Sequence, residues 1–329
     1  MLRNVSTACC PHAAAISTQP KSGRITSPDC AQVYQHVGAR LLAARFCGRV
    51  PPRSAPNRAR QQAGLEFCTL TLDHPCTFVL SSIVPLRILG VIPARYASSR
   101  FPGKALVSIA GKTMLQHVWE RASQARYLTD VIIATDDDRI REAAESFKAR
   151  VSMTRSDHPS GTDRVAEVAS ASTAQIVVNI QGDEPLIDPA AIDAAVLGML
   201  DQEDIVMATL KKRIERPEEI HDPNVVKVVT DREHNAIYFS RSPIPFVRDG
   251  SATYFKHIGL YVYKRDFLLA YSDFPVGPLE TSERLEQLRA LENGFRIRVV
   301  ETEYESLGVD TPEDWHRVAA LYEKLMVSQ

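Results

Sequence analysis

Three short runs of this chain hold side chains whose type and spacing could do chemistry. The first, VIPARYASSRFPGK (Val91–Lys104), places Arg95, Arg100 and Lys104 in a loop of small residues directly after an apolar strand. Small residues such as Ala94, Ala97, Ser98, Ser99 and Gly103 let the backbone approach an anion closely, and fixed cations supply charge-assisted donors, so the run reads as a polyphosphate cradle. A solvated basic loop is the plainer reading of such a segment taken alone. Neither GxGxxG nor GxxxxGK[ST] occurs there, so no dinucleotide fingerprint or P-loop accounts for it. The second run, NIQGDEP (Asn179–Pro185), sets Asp183 at a strand end. The third, GVDTPED (Gly308–Asp314), sets Asp310 before a Thr-Pro helix start. Carboxylates at such points can hold a hard divalent cation, and capping a loop or helix is the bland use of the same residues.

These runs need elements to position them. The strand RILGVIP (Arg87–Pro93) is followed by a helical pattern over Thr113–Arg126, then VIIATD (Val131–Asp136) and a helix over Asp138–Lys148. VSMT (Val151–Thr154), a helix over Asp163–Ala171, IVVNIQ (Ile176–Gln181) and a helix over Pro189–Leu200 repeat the unit. Short apolar strands alternating with helices predict parallel βαβ crossovers and a sheet covered on both faces. Residues 204–263 are richer in strand patterns and read as a β-rich insertion or subdomain. A helix over Leu279–Glu292, the strand FRIRVVET (Phe295–Thr302) and a helix over Pro312–Leu325 close the predicted fold.

Composition narrows the function classes. The 329 residues carry a net charge of −1, which gives no electrostatic reason to expect nucleic acid or an anionic membrane as partner. Residues 1–85 differ from the rest. They hold all six cysteines (Cys9, Cys10, Cys30, Cys47, Cys68, Cys76) and many arginines, but only Asp29, Glu66 and Asp73 as acids. The irregular Cys spacing argues against a zinc site or a disulfide framework. This stretch reads as a disordered or non-native extension, an organellar transit peptide being the other reading of its Arg-rich, acid-poor composition. The apolar run Phe78–Leu86 is too short to cross a bilayer. Residues 86–329 then suffice for one enzyme domain, expected in the cytoplasm.

From about Leu86 onward the chain resembles the sugar-activating cytidylyltransferases, and within them those that act on 3-deoxy-D-manno-octulosonate (Kdo). The loop above carries the resemblance together with MTRSDHPSGTDR (Met153–Arg164), NIQGDEP, YFSRSPIP (Tyr238–Pro245), KHIGLYVY (Lys256–Tyr263), PLETSERLEQLRALENG (Pro278–Gly294) and GVDTPED, in the family's order and spacing. It implies a Rossmann-like α/β nucleotidyltransferase fold, CTP and the sugar acid as substrates, Mg²⁺ as cofactor, and a homodimer formed through the β-rich region.

The same resemblance implies roles. Lys104, Arg95 and Asp183 would be catalytic, with Ser98 and Arg100 also on the nucleotide phosphates, and Asp183 and Asp310 would ligate Mg²⁺. Thr135 and Asp136 in ATDDD, with Arg155, Ser160 and Thr162, would hold the nucleotide; taken alone, DHPSGTDR is equally an ordinary turn leading to a helix cap at Thr162. Gln181, Arg241, His257 and Tyr261 would contact the sugar acid. Glu280, Glu283 and Gln287 fall on one face of the helix predicted over Leu279–Glu292; the resemblance adds Glu283 and Gln287 to the sugar pocket. A lone strand histidine such as His257 is otherwise more often structural.

The alternatives are a cytidylyltransferase for a sialic acid or an amino analogue of Kdo, a metal-dependent glycosyltransferase, and a non-catalytic nucleotide-binding protein. The second would be expected to carry Asp-x-Asp after a strand, which QGDEP does not supply. The third would be expected to lose Lys104, Asp183 or Asp310, and all are present.

Overall fold

The computed structural model describes residues 85–97 and 100–327. The expectations for residues 1–84, and the nucleotide-binding role for Ser98, lie outside the described residues.

The described chain opens with β1 (Ile88–Pro93), a small ribbon of β2 (Ser108–Ile109) and β3 (Lys112–Thr113), and α1 (Met114–Ala122). Then follow β4 (Asp130–Thr135), α2 (Asp138–Ser146), β5 (Arg150–Met153), α3 (Gly161–Ser170), β6 (Ile176–Asn179) and α4 (Pro189–Leu200). The second half comprises β7 (Met207–Arg213), α5 (Glu218–His221), β8 (Lys227–Thr230), β9 (Ala236–Ser240) and β10 (Phe255–Lys264). Helices α6 (Arg265–Tyr271), α7 (Pro278–Glu283) and α8 (Leu288–Glu292), strand β11 (Ile297–Glu301) and helix α9 (Pro312–Val327) complete it.

The main sheet runs β11-β7-β10-β6-β1-β4-β5. Strand β1 pairs in parallel with both β4 and β6, and β4 with β5, as the βαβ rhythm predicts. Side chains alternate across a strand, so β1 feeds two cores: Ile88 and Ile92 enter one, Leu89 and Val91 the other. The first core is closed by Leu115 and Val118 of α1 and Ile192 and Val196 of α4. The second is closed by Val165 and Val168 of α3 and Phe267 and Leu268 of α6. Each fully buried aliphatic side chain contributes roughly 1.5–3 kcal/mol relative to exposure, which lets the sheet carry polar loops at one end.

Three expectations change. The strands of residues 204–263 do not stand apart as an insertion: β7 and β10 are strands of the main sheet, with β10 antiparallel between β6 and β7, and only β8 and β9 lie off its path. The helix predicted over Leu279–Glu292 is broken. Arg284 adopts φ 51° and its N–H bonds the Glu280 carbonyl, ending α7, and α8 restarts at Leu288. The helix predicted over Thr113–Arg126 stops at Ala122, with Thr113 as its N-cap accepting from the Gln116 N–H.

Candidate active site

Because β1 connects to β4 on one side while β6 lies on its other side, the order of the sheet reverses between β1 and β6. Crevices form at such a reversal, outside the carboxyl ends of the strands. A cleft of about 410 Å³ opens there, walled by Pro93 and Ala94 after β1 and by Gln181, Gly182 and Asp183 after β6. Gly182 is required by closeness rather than by φ: a Cβ on it would lie 2.8 Å from the Pro93 carbonyl oxygen. The phosphate loop completes the wall. At its turn Gly103 takes φ +70° and donates its N–H to the Tyr96 carbonyl at 2.9 Å.

Lys104 joins the two distant carboxylates. Its Nζ lies 2.7 Å from Asp183 Oδ2 and 2.9 Å from Asp310 Oδ1, and donates to the Val309 carbonyl at 3.1 Å. Arg100 reaches the other oxygen of Asp310 at 3.0 Å. Burial works against the Lys104 charge, but Asp183 and Asp310 outweigh it and hold the ammonium above the ordinary lysine value. Burial likewise opposes ionisation of Asp310, and its bonds to Lys104 and Arg100 hold the carboxyl below the usual range. The backbone brings the acids together as well, since the Val309 N–H donates to the Asp183 carbonyl at 2.9 Å.

Geometry separates Asp310 from the cap. Thr311 Oγ1 accepts from the Asp314 N–H at 3.2 Å, while the Asp314 carboxylate accepts from the N–H groups of Asp310 and Thr311. The helix start is therefore served by Thr311 and Asp314, and the Asp310 side chain is free to face Lys104. The donor set suits Mg²⁺. Two carboxylates converge on one cationic point, and their side chains stay 29% and 43% exposed, so they would hold the ion and leave it open to water and phosphate oxygens. Among the described residues there is no cluster of three or more His, Cys, Asp or Glu that would form an all-protein cage.

Of the expected nucleotide residues, Arg95, Arg100 and Lys104 line the cleft. Thr135 does not: it is fully buried and its hydroxyl accepts from the Asp137 N–H. Asp136 pairs with buried Arg164 at 3.3 Å, and it is Arg164 that reaches the cleft wall. Arg155 is exposed and forms a bidentate pair with Asp157, away from that wall. Ser160, rather than Thr162, caps α3, because its extended backbone and Asp163 at the third helical position complete a reciprocal capping box. Thr162 is buried in the first turn beside Gly161, which does line the cleft. Four cationic side chains (Arg95, Arg100, Lys104, Arg164) against two carboxylates leave the wall net positive, as a triphosphate requires.

Of the expected sugar residues, His257 and Tyr261 lie on β10, Gln181 and Arg241 follow the ends of β6 and β9, and Glu283 and Gln287 stand at the end of α7 and the start of α8. Gln181 Nε2 donates to the Gly259 carbonyl at 2.8 Å, linking the cleft to an irregularity in β10 between Ile258 and Tyr261. The Tyr261 hydroxyl donates to Gln287 at 3.2 Å, and half-buried His257 packs 5.4 Å from the Tyr261 ring. Glu283 accepts from the Ser240 hydroxyl at 2.6 Å and the Arg241 N–H at 2.9 Å. The Arg241 guanidinium donates to the carbonyls of Glu283, at the end of α7, and of Pro223, in the loop after α5. Glu280, also on α7, pairs with Arg289 of α8 at 2.6 Å.

Two contributors were not singled out from sequence. Asn179, in register with Tyr261, keeps a buried Oδ1 without a partner among the described residues, and Glu184, next to Asp183 in the chain, is buried and bonded by the Tyr304 hydroxyl at 2.8 Å. Burial pushes the Glu184 carboxyl up to about 7. Both stand inside NIQGDEP, so the motif was visible while their burial was not.

A twisted α/β sheet with a net-positive loop and two converging carboxylates at its order reversal is built for moving nucleotidyl groups. A family model described as cytidylyltransferase matches residues 89–299. A curated relative from Solibacter usitatus, named 3-deoxy-manno-octulosonate cytidylyltransferase, is 74% identical over 241 residues, covering 73% of this chain and 96% of that protein. A relative of the same name from Geobacter sulfurreducens is 56% identical, covering 71% of this chain and 98% of its own. Among solved structures, a CMP:2-keto-3-deoxy-manno-octonic acid synthetase complexed with CTP superposes with a TM-score of 0.70 at 45% identity, over 72% of this chain and 99% of that one. The chain belongs to the cytidylyltransferase family.

Proposed function

We propose that this chain transfers CMP from CTP to the anomeric hydroxyl of Kdo and releases pyrophosphate. The observation that carries the reading is the meeting of Lys104, Asp183 and Asp310 in the cleft beside β1, in a chain 74% identical to a protein of that name. The anomeric oxygen forms a bond to the α-phosphorus as the bond from that phosphorus to the bridging oxygen breaks, and the hydroxyl proton is lost from the attacking oxygen. Phosphoryl transfer asks mainly for positioning and charge neutralisation. Arg95, Arg100 and Lys104 bear on the phosphates, and Asp183 and Asp310 hold Mg²⁺, which when bound neutralises triphosphate charge and polarises the reacting phosphoryl group. The α3 start, with Ser160 and Thr162, borders the nucleotide side. Gln181, His257, Tyr261, Glu283 and Gln287 border the sugar side.

The protein acts as a homodimer in the cytoplasm. Ile237 on β9 and Phe246 beyond it, 61% and 89% exposed, supply apolar area for pairing, and no described helix is long and apolar enough to cross a membrane. The test is pyrophosphate release from CTP and Mg²⁺ with Kdo, with a sialic acid, and with no sugar. Release with Kdo alone supports the reading. Equal release with sialic acid moves the substrate assignment, and release with neither sugar overturns it.

A further inference from the structure

Strand register places Thr209 of β7 beside Tyr261 of β10, where β10 is irregular, and Thr209 is fully buried. Its Oγ1 has three polar neighbours: the Ile258 carbonyl at 3.0 Å, the Leu260 carbonyl at 2.8 Å and His257 Nε2 at 2.9 Å. A hydroxyl has one proton, and a carbonyl can only accept. Were that proton turned to His257, both carbonyl oxygens would face Oγ1 lone pairs at 3.0 and 2.8 Å with no hydrogen between, so the hydroxyl donates to one of them. It then has nothing to donate to His257 and can only accept, which makes Nε2 the donor. A neutral imidazole has a single N–H, so Nδ1 must carry a bare lone pair. Burial lowers the His257 pKa to about 3, so the ring is neutral at ordinary pH. Among the described residues Nδ1 has no hydrogen-bond partner, while Phe239 and Tyr261 fix the plane of the ring.

We propose that Thr209 locks His257 in its Nε2–H tautomer, so that Nδ1 accepts a hydrogen bond from a hydroxyl of the sugar acid and takes no part in holding its carboxylate. The assignment of Nδ1 to the sugar rests on the functional reading above; the tautomer itself does not. Thr209 is thus a positioning residue: it touches no substrate, and it decides whether His257 offers a lone pair or a proton. An imidazole presenting N–H would attract a carboxylate or phosphate oxygen. The bare Nδ1 repels both and selects a donor, which orients an acid sugar with a hydroxyl toward β10.

The test uses the full chain labelled with ¹⁵N-histidine. Two-bond ¹H–¹⁵N correlation should show His257 as the Nε2–H tautomer without ligand. In Thr209→Val, which keeps the shape and removes the hydroxyl, that signature should give way to a mixed or Nδ1–H form. The KM for the sugar acid should rise about tenfold, the loss of roughly one hydrogen bond, with the KM for CTP unchanged. Thr209→Ser should restore both the tautomer and the KM. An Nδ1–H or doubly protonated ring in the wild type overturns the lock, whether or not any variant folds. A normal sugar KM in a Thr209→Val protein whose tautomer has changed overturns the assignment of Nδ1 to the sugar, while pyrophosphate release would still stand as evidence for the cytidylyltransferase reading. Failure of that release with every sugar would leave the tautomer measurable and sink only the substrate reading.

Discussion

Lys104 is the residue at which two segments far apart in the chain meet, and what it touches explains why neither acid can be understood alone. Its side chain is only 16% exposed, and its charge persists there because Asp183 and Asp310 both face it. If these acids share one Mg²⁺, Asp183→Asn and Asp310→Asn should each cost on the order of a hundredfold in rate and raise the Mg²⁺ needed for the residual activity. The double variant should be scarcely slower than either single one, because residues acting as a unit are strongly non-additive. Multiplying losses would mean two independent roles. A second expectation concerns His257. Its pKa of about 3 in the folded chain lies below the ordinary 6.5, so between those values the unfolded chain takes a proton that the folded one refuses. Stability therefore falls as pH drops below 6.5, at up to about 1.4 kcal/mol per pH unit from this group. Melting curves from pH 7.5 to pH 5 should show His257→Asn losing less stability than the wild type, and parallel curves would mean that the imidazole is not held neutral.

At the scale of elements, the α9 start shows how one short motif divides its labour. GVDTPED could have spent Asp310 on the cap, and the sequence left that choice open. The fold assigns the cap to Thr311 and Asp314. Thr311→Val should then destabilise the protein by about 1 kcal/mol with the Mg²⁺ requirement unchanged, whereas Asp310→Asn should move the Mg²⁺ requirement with little change in melting temperature. Thermal melts paired with Mg²⁺ titrations of both variants check this, and exchanged phenotypes would return Asp310 to the cap. The α7–α8 break was illegible for a related reason. The run PLETSERLEQLRALENG contains no Gly or Pro between Leu279 and Glu292, so its period reads as one helix. Arg284 nonetheless takes a left-handed conformation, and the turn it makes is held by the Tyr271 hydroxyl donating to the Glu286 carbonyl at 2.6 Å. That tertiary bond has no local signature.

For the molecule as a whole, the family match begins at residue 89 and β1 at Ile88, so the parts that make the cleft all lie beyond residue 85. A chain beginning at Pro85 should fold and release pyrophosphate at the rate of the full chain. Circular dichroism and the CTP assay would check it, and loss of either would give the first 84 residues a role in the domain. Sheet order matters at this scale too: β10 enters antiparallel between β6 and β7, which sets Tyr261 beside Asn179 and lets Gln181 of the cleft wall bond the Gly259 carbonyl.

Local pattern in the sequence determined the βαβ succession, the apolar strands and the anion loop, because period, small residues and clustered cations act over a few neighbours. It also marked Lys104, Asp183 and Asp310 as chemically able. Only the tertiary structure decided that these three converge, that Thr311 rather than Asp310 caps a helix, that Arg164 lines the cleft where Thr135 and Arg155 do not, and that the Arg241 guanidinium bonds carbonyls. Those outcomes depend on which groups meet across long stretches of chain and on which of them burial leaves without water, and neither is written in the spacing of residues along a strand or helix.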